Sequence, residues 1–459
     1  MNPLLLRSSM ALVVLVGLLT SASVHAVDVP AIEPGSGLTL QRAIDLALRY
    51  HPARLAAQAE AGAANERIGE AESNLLPQVF GAAQYLRATD NGIGTTAYLG
   101  VLGQPRAPSN GREVNSTDTF NNYLMGVSAF QHLFDFGRTR GLIDQRRAEA
   151  DVEQARLKLV EVGLVFEVTR AYDDLLAAHQ TVKVYETAVA QRQEHLHEAD
   201  VKAQAGLRPE IDLYTAKAEL ARAKLNLVNA HNASDSGKVA LDNAMGLGER
   251  APDYHLAEVL SYQEIVEPLD TYLHLAYRQR PDLEALEDEA RAAGAQIKEY
   301  RSDYLPTVGA TAAYSGRGQD LPASSNFDVG VLISWPLFNG FLTDHQVAEV
   351  KLHQEAIRQS IESVRQRIYA QVKSDYLDWQ ASLQRIHRAE QSLAASRAEL
   401  DLAEKRYEGG LGNIIELTDA QRRFTEDDAG YIDALAGFSV AKAALERDSG
   451  IGLPENALR

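Results

Sequence analysis

Few residues in this chain are spaced for chemistry. Glu416 and Asp419 lie three apart, so on a helix they share one face. Like charges that close raise one another's pKa and favour bound cations. A solvated acidic face with this spacing is, however, common on helices. His195 and His197 suggest a metal pair, yet i,i+2 residues on a helix point apart. Asp135-Phe136-Gly137 spells a kinase motif, but no Gly-rich loop or catalytic loop accompanies it. There is no phosphate loop, no G-x-S-x-G elbow and no H-E-x-x-H. Cysteine is absent, which excludes a thiolate zinc site, a catalytic thiol, a disulfide framework and a lipid anchor on an N-terminal cysteine. An enzyme is unsupported, and no cofactor or metal is expected.

The elements that hold these residues are more telling than the residues themselves. The chain has 459 residues, 45% hydrophobic and 24% charged, so it is neither disordered nor a polytopic helical membrane protein. The formal charge of −18 argues against nucleic acid as the main partner. Only 15 residues are proline, and none lies between Pro108 and Pro209 or between Pro336 and Pro454. Two such gaps point to very long helices.

Arg7, an apolar run from Met10 to Leu19, and Val24-His25-Ala26 make the three-part pattern of a signal peptide. The run is too short to span a bilayer. Removing residues 1–26 takes away one arginine and no acid, so the mature charge becomes −19. No later stretch is long and apolar enough for a transmembrane helix.

The rest reads as two copies of one pattern. His51-Pro52 recurs as Arg280-Pro281 and Leu76-Pro77 as Leu305-Pro306, both at an offset of 229. Further on, Leu133-Phe134 matches Leu337-Phe338, Tyr172 matches Tyr376, and Gly206-Leu207 matches Gly410-Leu411. Gly246 and Gly248 likewise match Gly450 and Gly452, and all of these lie at an offset of 204. The offset drops within the Gly/Ser/Asn-rich segment from about Arg87 to Asn121, which is an extended loop of the first copy. The expected divisions are a signal peptide (1–26), a first repeat (27–248), a second repeat (249–453) and a tail (454–459).

Leu342 to Glu408 contains neither Gly nor Pro and as one helix would reach about 100 Å. Val350, Ile357 and Val364, then Trp379, Ile386, Leu393, Leu400 and Tyr407, step by seven as in a coiled-coil seam. Ile368, Val372 and Tyr376 step by four between them and shift the register. Leu142 to Ala205 is similar, interrupted at Gly163. A plain antiparallel coiled coil has the same helices. The short segments weigh against it: Phe327, Val329, Val331, Ile333 and Trp335 alternate with Asp328, Gly330 and Ser334. Segments near 78–86, 122–132 and 306–315 follow this alternation more weakly, and the fourth runs from about 326 to 337. Period two over about ten residues with aromatics near the ends is the pattern of a membrane-spanning strand. Strands in lipid need a closed barrel, and four are too few to close around a lumen, so closure demands several chains. A soluble four-stranded sheet is the alternative.

This architecture resembles the TolC family of outer-membrane efflux and secretion channels over nearly the whole mature chain. The resemblance rests on the Leu76-Pro77 and Leu305-Pro306 strand starts, the turns from Leu133 to Gly137 and from Pro336 to Gly340, and two tips, Ala205 to Asp212 and Tyr407 to Asp419. It implies a mainly α fold with a small membrane β part. In a homotrimer each chain gives four strands to a twelve-stranded outer-membrane β-barrel and its helices to a long periplasmic α-barrel. It also implies outer-membrane lipid, a periplasmic adaptor and an inner-membrane transporter as partners. The function implied is the exit duct of a tripartite efflux pump or type I secretion system. A periplasmic coiled-coil scaffold or adaptor, with no channel, is the alternative. By the same resemblance Glu416 and Asp419 match acidic rings that narrow the periplasmic entrance. Asp212 and Tyr407 match positions that link neighbouring helices and hold the entrance closed. Gly206, Leu207, Gly410 and Leu411 match turns that meet the adaptor. A basic residue that helps lock the entrance in the family corresponds here to Gly412, for which Arg208 in the other tip is the candidate substitute. Cargo is not legible, though the missing lipidation cysteine leans away from the lipid-anchored drug-pump branch.

Overall fold

The computed structural model describes residues 35, 37–89, 119–206, 208–263, 267–318, 320–321 and 324–450. The expected signal peptide, the tail and most of the loop after Arg87 lie outside them. In chain order the elements are β1 (Gly37–Leu38), α1 (Leu40–Tyr50), α2 (Pro52–Glu72), β2 (Gln78–Thr89), β3 (Thr119–Phe134), α3 (Arg138–Gln204) and α4 (Glu210–Ala244). Then come β4 (His255–Leu256), α5 (Leu269–Gln279), α6 (Pro281–Ser302), β5 (Thr307–Gly318), β6 (Ser324–Ser334), α7 (Leu342–Glu408) and α8 (Ile414–Ser449).

Proline and glycine set the corners. His51 and Arg280 each precede a proline and adopt extended backbone, so one helix ends there. Pro52 and Pro281 then open α2 and α6 at the position where a missing N–H costs nothing. Element starts recur at the two offsets: α1 and α5, and β2 and β5, lie 229 apart, whereas α3 and α7, and α4 and α8, lie 204 apart. The strand-to-helix turns use two consecutive left-handed residues in opposite order, Phe136-Gly137 and Gly340-Phe341. A phenylalanine with positive φ is strained, and both copies keep one.

α3 and α7 each have 67 residues, about 100 Å of helix. α4 returns along α3 and α8 along α7, while α6 packs against both α3 and α7. The seven-step positions Val350, Ile357, Val364, Trp379, Ile386, Leu400 and Tyr407 are buried, as are the shift positions Ile368 and Val372. Leu393 and Tyr376 are half-buried. The largest core lies at mid-height, where Val168, Tyr172 and Leu175 of the first copy meet Ile368, Val372, Trp379 and Phe438 of the second. β1 and β4 pair in parallel there, and the Tyr172 hydroxyl donates to the Leu38 carbonyl at 2.7 Å.

The sheet has the order β2-β3-β5-β6, antiparallel throughout. Its register puts Val79, Ala129, Ala312 and Val329 in one row and Gly81, Val127, Tyr314 and Phe327 in the next, all on one face. The opposite face carries Gln84, Asn122, Ser128, Ser315, Asn326 and Asp328, with Phe80 and Phe130 among them. Phe327 and Val329 are each 77% exposed. Trp335, Phe134 and Phe338 ring the helix-proximal end, and Tyr85 and Tyr123 stack at 5.2 Å at the other. β3 is longer than the sequence suggests, and β6 ends at Ser334 because Trp335 precedes a proline, whose missing N–H cannot extend the ladder. Among the described residues no strand covers the outer edge of β2 or β6, and these two edges run antiparallel to one another. No helix among them is long and apolar enough to cross a membrane.

Candidate functional site at the helix tips

The tips are built by helix-ending chemistry. α3 closes on Gly206 (φ 71) and α7 on Gly410 (φ 73), a left-handed backbone that favours glycine. A Cβ at either glycine would meet nothing within 4 Å, so backbone conformation and not space is what selects glycine there. The Leu411 and Gly412 amides both return to the Arg406 carbonyl, at 2.8 and 2.9 Å. Asn413 caps α8 by accepting from the Glu416 amide at 2.8 Å. Leu411 is exposed, ready for contact; Leu207, its counterpart, lies outside the described residues.

Tyr407 is the centre of the arrangement. It is 1% exposed and packs on Leu400, Ala403, Ile414 and Leu417. Two cations of the first copy face its ring, Arg208 at 4.9 Å and Lys202 at 5.2 Å. Arg208 also donates to the Tyr407 and Gly412 carbonyls at 3.3 and 3.4 Å. Asp212 is 7% exposed beside them. Burial, and next the Asp212 charge, push the Tyr407 phenol above its ordinary pKa, against the pull of Arg208. The Tyr407 hydroxyl has no hydrogen-bond partner among the described residues.

The structure therefore brings Asp212, Arg208 and Tyr407 together across two hairpins. It also accounts for Gly412: a Cβ there would sit 3.2 Å from the Tyr407 amide and from Arg406 Cβ. A basic residue at 412 would need this turn to shift, and Arg208 reaches the same carbonyl from the opposite tip.

Glu416 and Asp419 stand apart from that cluster, both partly exposed on the first turns of α8. Each has a cation within its own chain: Arg406 Nε donates to Glu416 at 2.9 Å, and Arg422 lies 3.6 Å from Asp419. Sequence reasoning missed both pairs. The Arg422 pair was visible as i,i+3 spacing, whereas Arg406–Glu416 depends on the turn between the helices. Deeper in, Arg192 and Gln421 are buried between α3 and α8, each with one side-chain nitrogen lacking a partner among the described residues. Burial lowers the Arg192 pKa. Asp135 of the kinase-like triplet is a helix cap, accepting from the amides of Gly137 and Thr139 at 3.1 and 2.8 Å. His195 lies 3.7 Å from Glu198, and among the described residues no group of three His, Asp or Glu is arranged to hold a metal.

Known proteins share this fold. The sequence matches the family described as "Outer membrane efflux protein" over residues 43–247 and 272–450. Protein CyaE of Bordetella pertussis is 26% identical over 399 residues, covering 84% of this chain and 78% of its own. Outer membrane protein TolC of Escherichia coli is 24% identical over 407 residues, covering 83% and 77%. The CmeC outer membrane channel of Campylobacter jejuni superposes with a TM-score of 0.76 at 18% identity, covering 91% of this chain and 86% of its own.

Proposed function

The chain belongs to the outer membrane efflux protein family, and on that premise we propose that it is the outer-membrane exit duct of a tripartite efflux pump or type I secretion system. The observation that carries this reading is the sheet. One face is apolar and exposed, both edges are open, and the edges run antiparallel to each other. In lipid every backbone group must be paired, so β6 of one copy pairs with β2 of the next until the ring closes. Three copies give twelve strands. Strands of about 35 Å, tilted as barrel strands are, cover an apolar band about 25 Å tall.

The helices then stand in the periplasm as a continuous wall about 100 Å long. A periplasmic adaptor docks at the tips through Gly206, Leu207, Gly410 and Leu411, and an inner-membrane transporter supplies the energy. Glu416 and Asp419 form the constriction, with Asp212, Tyr407 and Arg208 holding it closed. No catalysis is assigned to the chain. Residues 1–26 act as the export signal, and the units 27–248 and 249–453 are its two structural repeats. A periplasmic scaffold would leave the apolar face of β6 unexplained.

The test is fractionation and mass. The protein should partition with outer membranes and measure three chains per particle in detergent. A monomer recovered from the periplasmic fraction would defeat this reading.

A further inference from the structure

The two copies differ in polarity where their long helices meet at mid-height. In the second copy Asp448, 6% exposed near the end of α8, receives Arg447 Nε and Nη2 at 2.9 Å each, and Arg280 Nη1 lies 3.9 Å away. Arg280 caps α6 and also donates to Gln371 of α7 at 3.2 Å. Arg447 lies over the Phe166 ring of α3 at 4.2 Å. The carboxyl of Asp375, on α7, is within hydrogen-bonding reach of Asp448. Its Oδ2 is buried, and among the described residues no N–H or O–H reaches it.

Two carboxylates cannot face one another in a buried place without a proton between them, because each is an acceptor only. The first copy shows that the fold does not require them. At the matching positions it has Ala171 for Asp375, Ala244 for Asp448, Asn243 for Arg447 and His51 for Arg280. The helices approach closely at the corresponding corner all the same: a Cβ on Gly246 would meet His51 at 2.7 Å, as one on Gly450 would meet Gln279 at 3.0 Å. The charged group is an addition to one copy.

We propose that Asp375 and Asp448 share one proton and act as a pH-responsive clasp at the root of the α7–α8 hairpin, tight in acid and loosened when the proton leaves. Asp448 is the ionised member, since Arg447 and Arg280 hold it below its ordinary pKa against the effect of burial. Asp375 is the proton carrier, pushed above the carboxylate range by burial and then by Asp448. The other charges around Asp375 are Asp378 of α7, Arg170 and Asp174 of α3, and Asp433 of α8, which line one cavity of about 660 Å³ with it. That cavity is open enough for proton exchange. The sign follows: a raised folded pKa means that the folded chain binds the extra proton, so the stabilisation is full in acid and is lost as pH rises toward neutral. Loss of the proton leaves two carboxylates opposed across the α7–α8 seam. The hairpin so loosened is the one that carries Tyr407, Glu416 and Asp419. The inference concerns the helices alone and does not depend on the channel reading.

The experiment uses the full-length protein in detergent, with infrared difference spectra and thermal unfolding compared at about pH 5 and about pH 8.5. The protonated-carboxyl band present in acid and lost in base, to which buried Asp173 also contributes, should shrink by one carboxyl in Asp375→Asn. That variant donates an amide N–H to Asp448 at every pH, so its melting point should fall less between the two pH values than the wild type's. The double variant Asp375→Ala, Asp448→Ala, which carries the first repeat's alanines at those two positions, should fold and show the same reduced band. An Asp375→Asn protein whose band is undiminished, or that melts with the wild-type pH dependence, overturns the proposal. If Asp375→Asn does not fold, an undiminished band in the double variant overturns it instead.

Discussion

Arg208 of one tip lies 4.9 Å from the centre of the Tyr407 ring of the other and donates to the Tyr407 and Gly412 carbonyls. One side chain thus ties the α3–α4 hairpin to the α7–α8 hairpin beside position 412, where a side chain would crowd the Tyr407 amide. A cation–π contact with a partly desolvated partner contributes about 1 kcal/mol, and the two long carbonyl bonds add a similar amount. Arg208→Ala should therefore loosen the tip, read as a several-fold rise in closed-state conductance in planar bilayers. Arg208→Lys, which loses the planar fork, should fall between. Tyr407→Phe should leave stability unchanged or slightly raised, since the hydroxyl it removes is buried without a partner in the chain. A drop of 2 °C or more in the melting point of about the size expected for a lost hydrogen bond would mean that a neighbouring subunit partners the hydroxyl.

Glu416 and Asp419 come with their own cations. Glu416→Ala with Asp419→Ala should raise conductance and weaken block by divalent cations, because the carboxylates favour bound cations. Arg406→Ala should do the reverse for block: with its partner at 2.9 Å gone, Glu416 is left a freer charge. Titration of single-channel current with a divalent cation checks both. Equal block in Arg406→Ala and wild type would show that Arg406 does not offset the ring.

Much of this fold was legible because its signals are long-range in sequence and simple in cause. Proline gaps marked α3 and α7, steps of seven marked the buried seam, and alternation marked β6. The partners at the tips were not legible. Arg406 and Glu416 are ten residues apart and meet only because the Gly409–Gly410 turn reverses the chain. Arg208 and Tyr407 belong to different copies, and Asp375 meets Asp448 only when α8 returns along α7. Pairs of that kind depend on tertiary geometry that no local periodicity encodes. The bounds of β3 depend on cross-strand pairing for the same reason.

Gly206 separates backbone from contact. With φ at 71 and open space around it, Gly206→Ala should cost about 1 kcal/mol through conformation alone, with trimer and membrane insertion kept. Larger side chains add little further strain, since nothing lies within 4 Å of the Cβ position. If the tip is an adaptor contact, efflux should fall steeply from alanine to tryptophan while the melting point does not. Parallel decline of both would make the glycine structural only.

Asp173 gives a pH dependence of its own. It is buried on α3, where the Ser439 hydroxyl of α8 donates to it, and burial raises its pKa to about 6, with Asp174 and Glu258 adding to the shift and Lys442 opposing it. Its folded pKa exceeds the ordinary 3.8, so its contribution is full below that value and is lost as pH rises to about 6. The loss is on the order of 2–3 kcal/mol. Asp173→Asn, which keeps an acceptor for Ser439, should flatten that part of the melting curve across the interval from acid to neutral. An unchanged slope would mean that Asp173 is ionised in the folded chain.

The sheet makes the sharpest demand on the environment. Val329 sits at the middle of the apolar face, in a row with Val79, Ala129 and Ala312, and Asp328 beside it points the other way. If that face meets lipid, Val329→Arg places a charge near the bilayer midplane at a cost of about 2–4 kcal/mol per chain, which a ring of three chains multiplies. Asp328→Arg, one residue along, points to the polar face and should cost little. Outer-membrane yield and trimer recovery should therefore collapse for Val329→Arg and survive for Asp328→Arg. In a soluble sheet exposed to water on that face the two variants would behave alike, because an arginine at a position 77% exposed is harmless in water. The ratio of the two yields thus reports which solvent the apolar face meets.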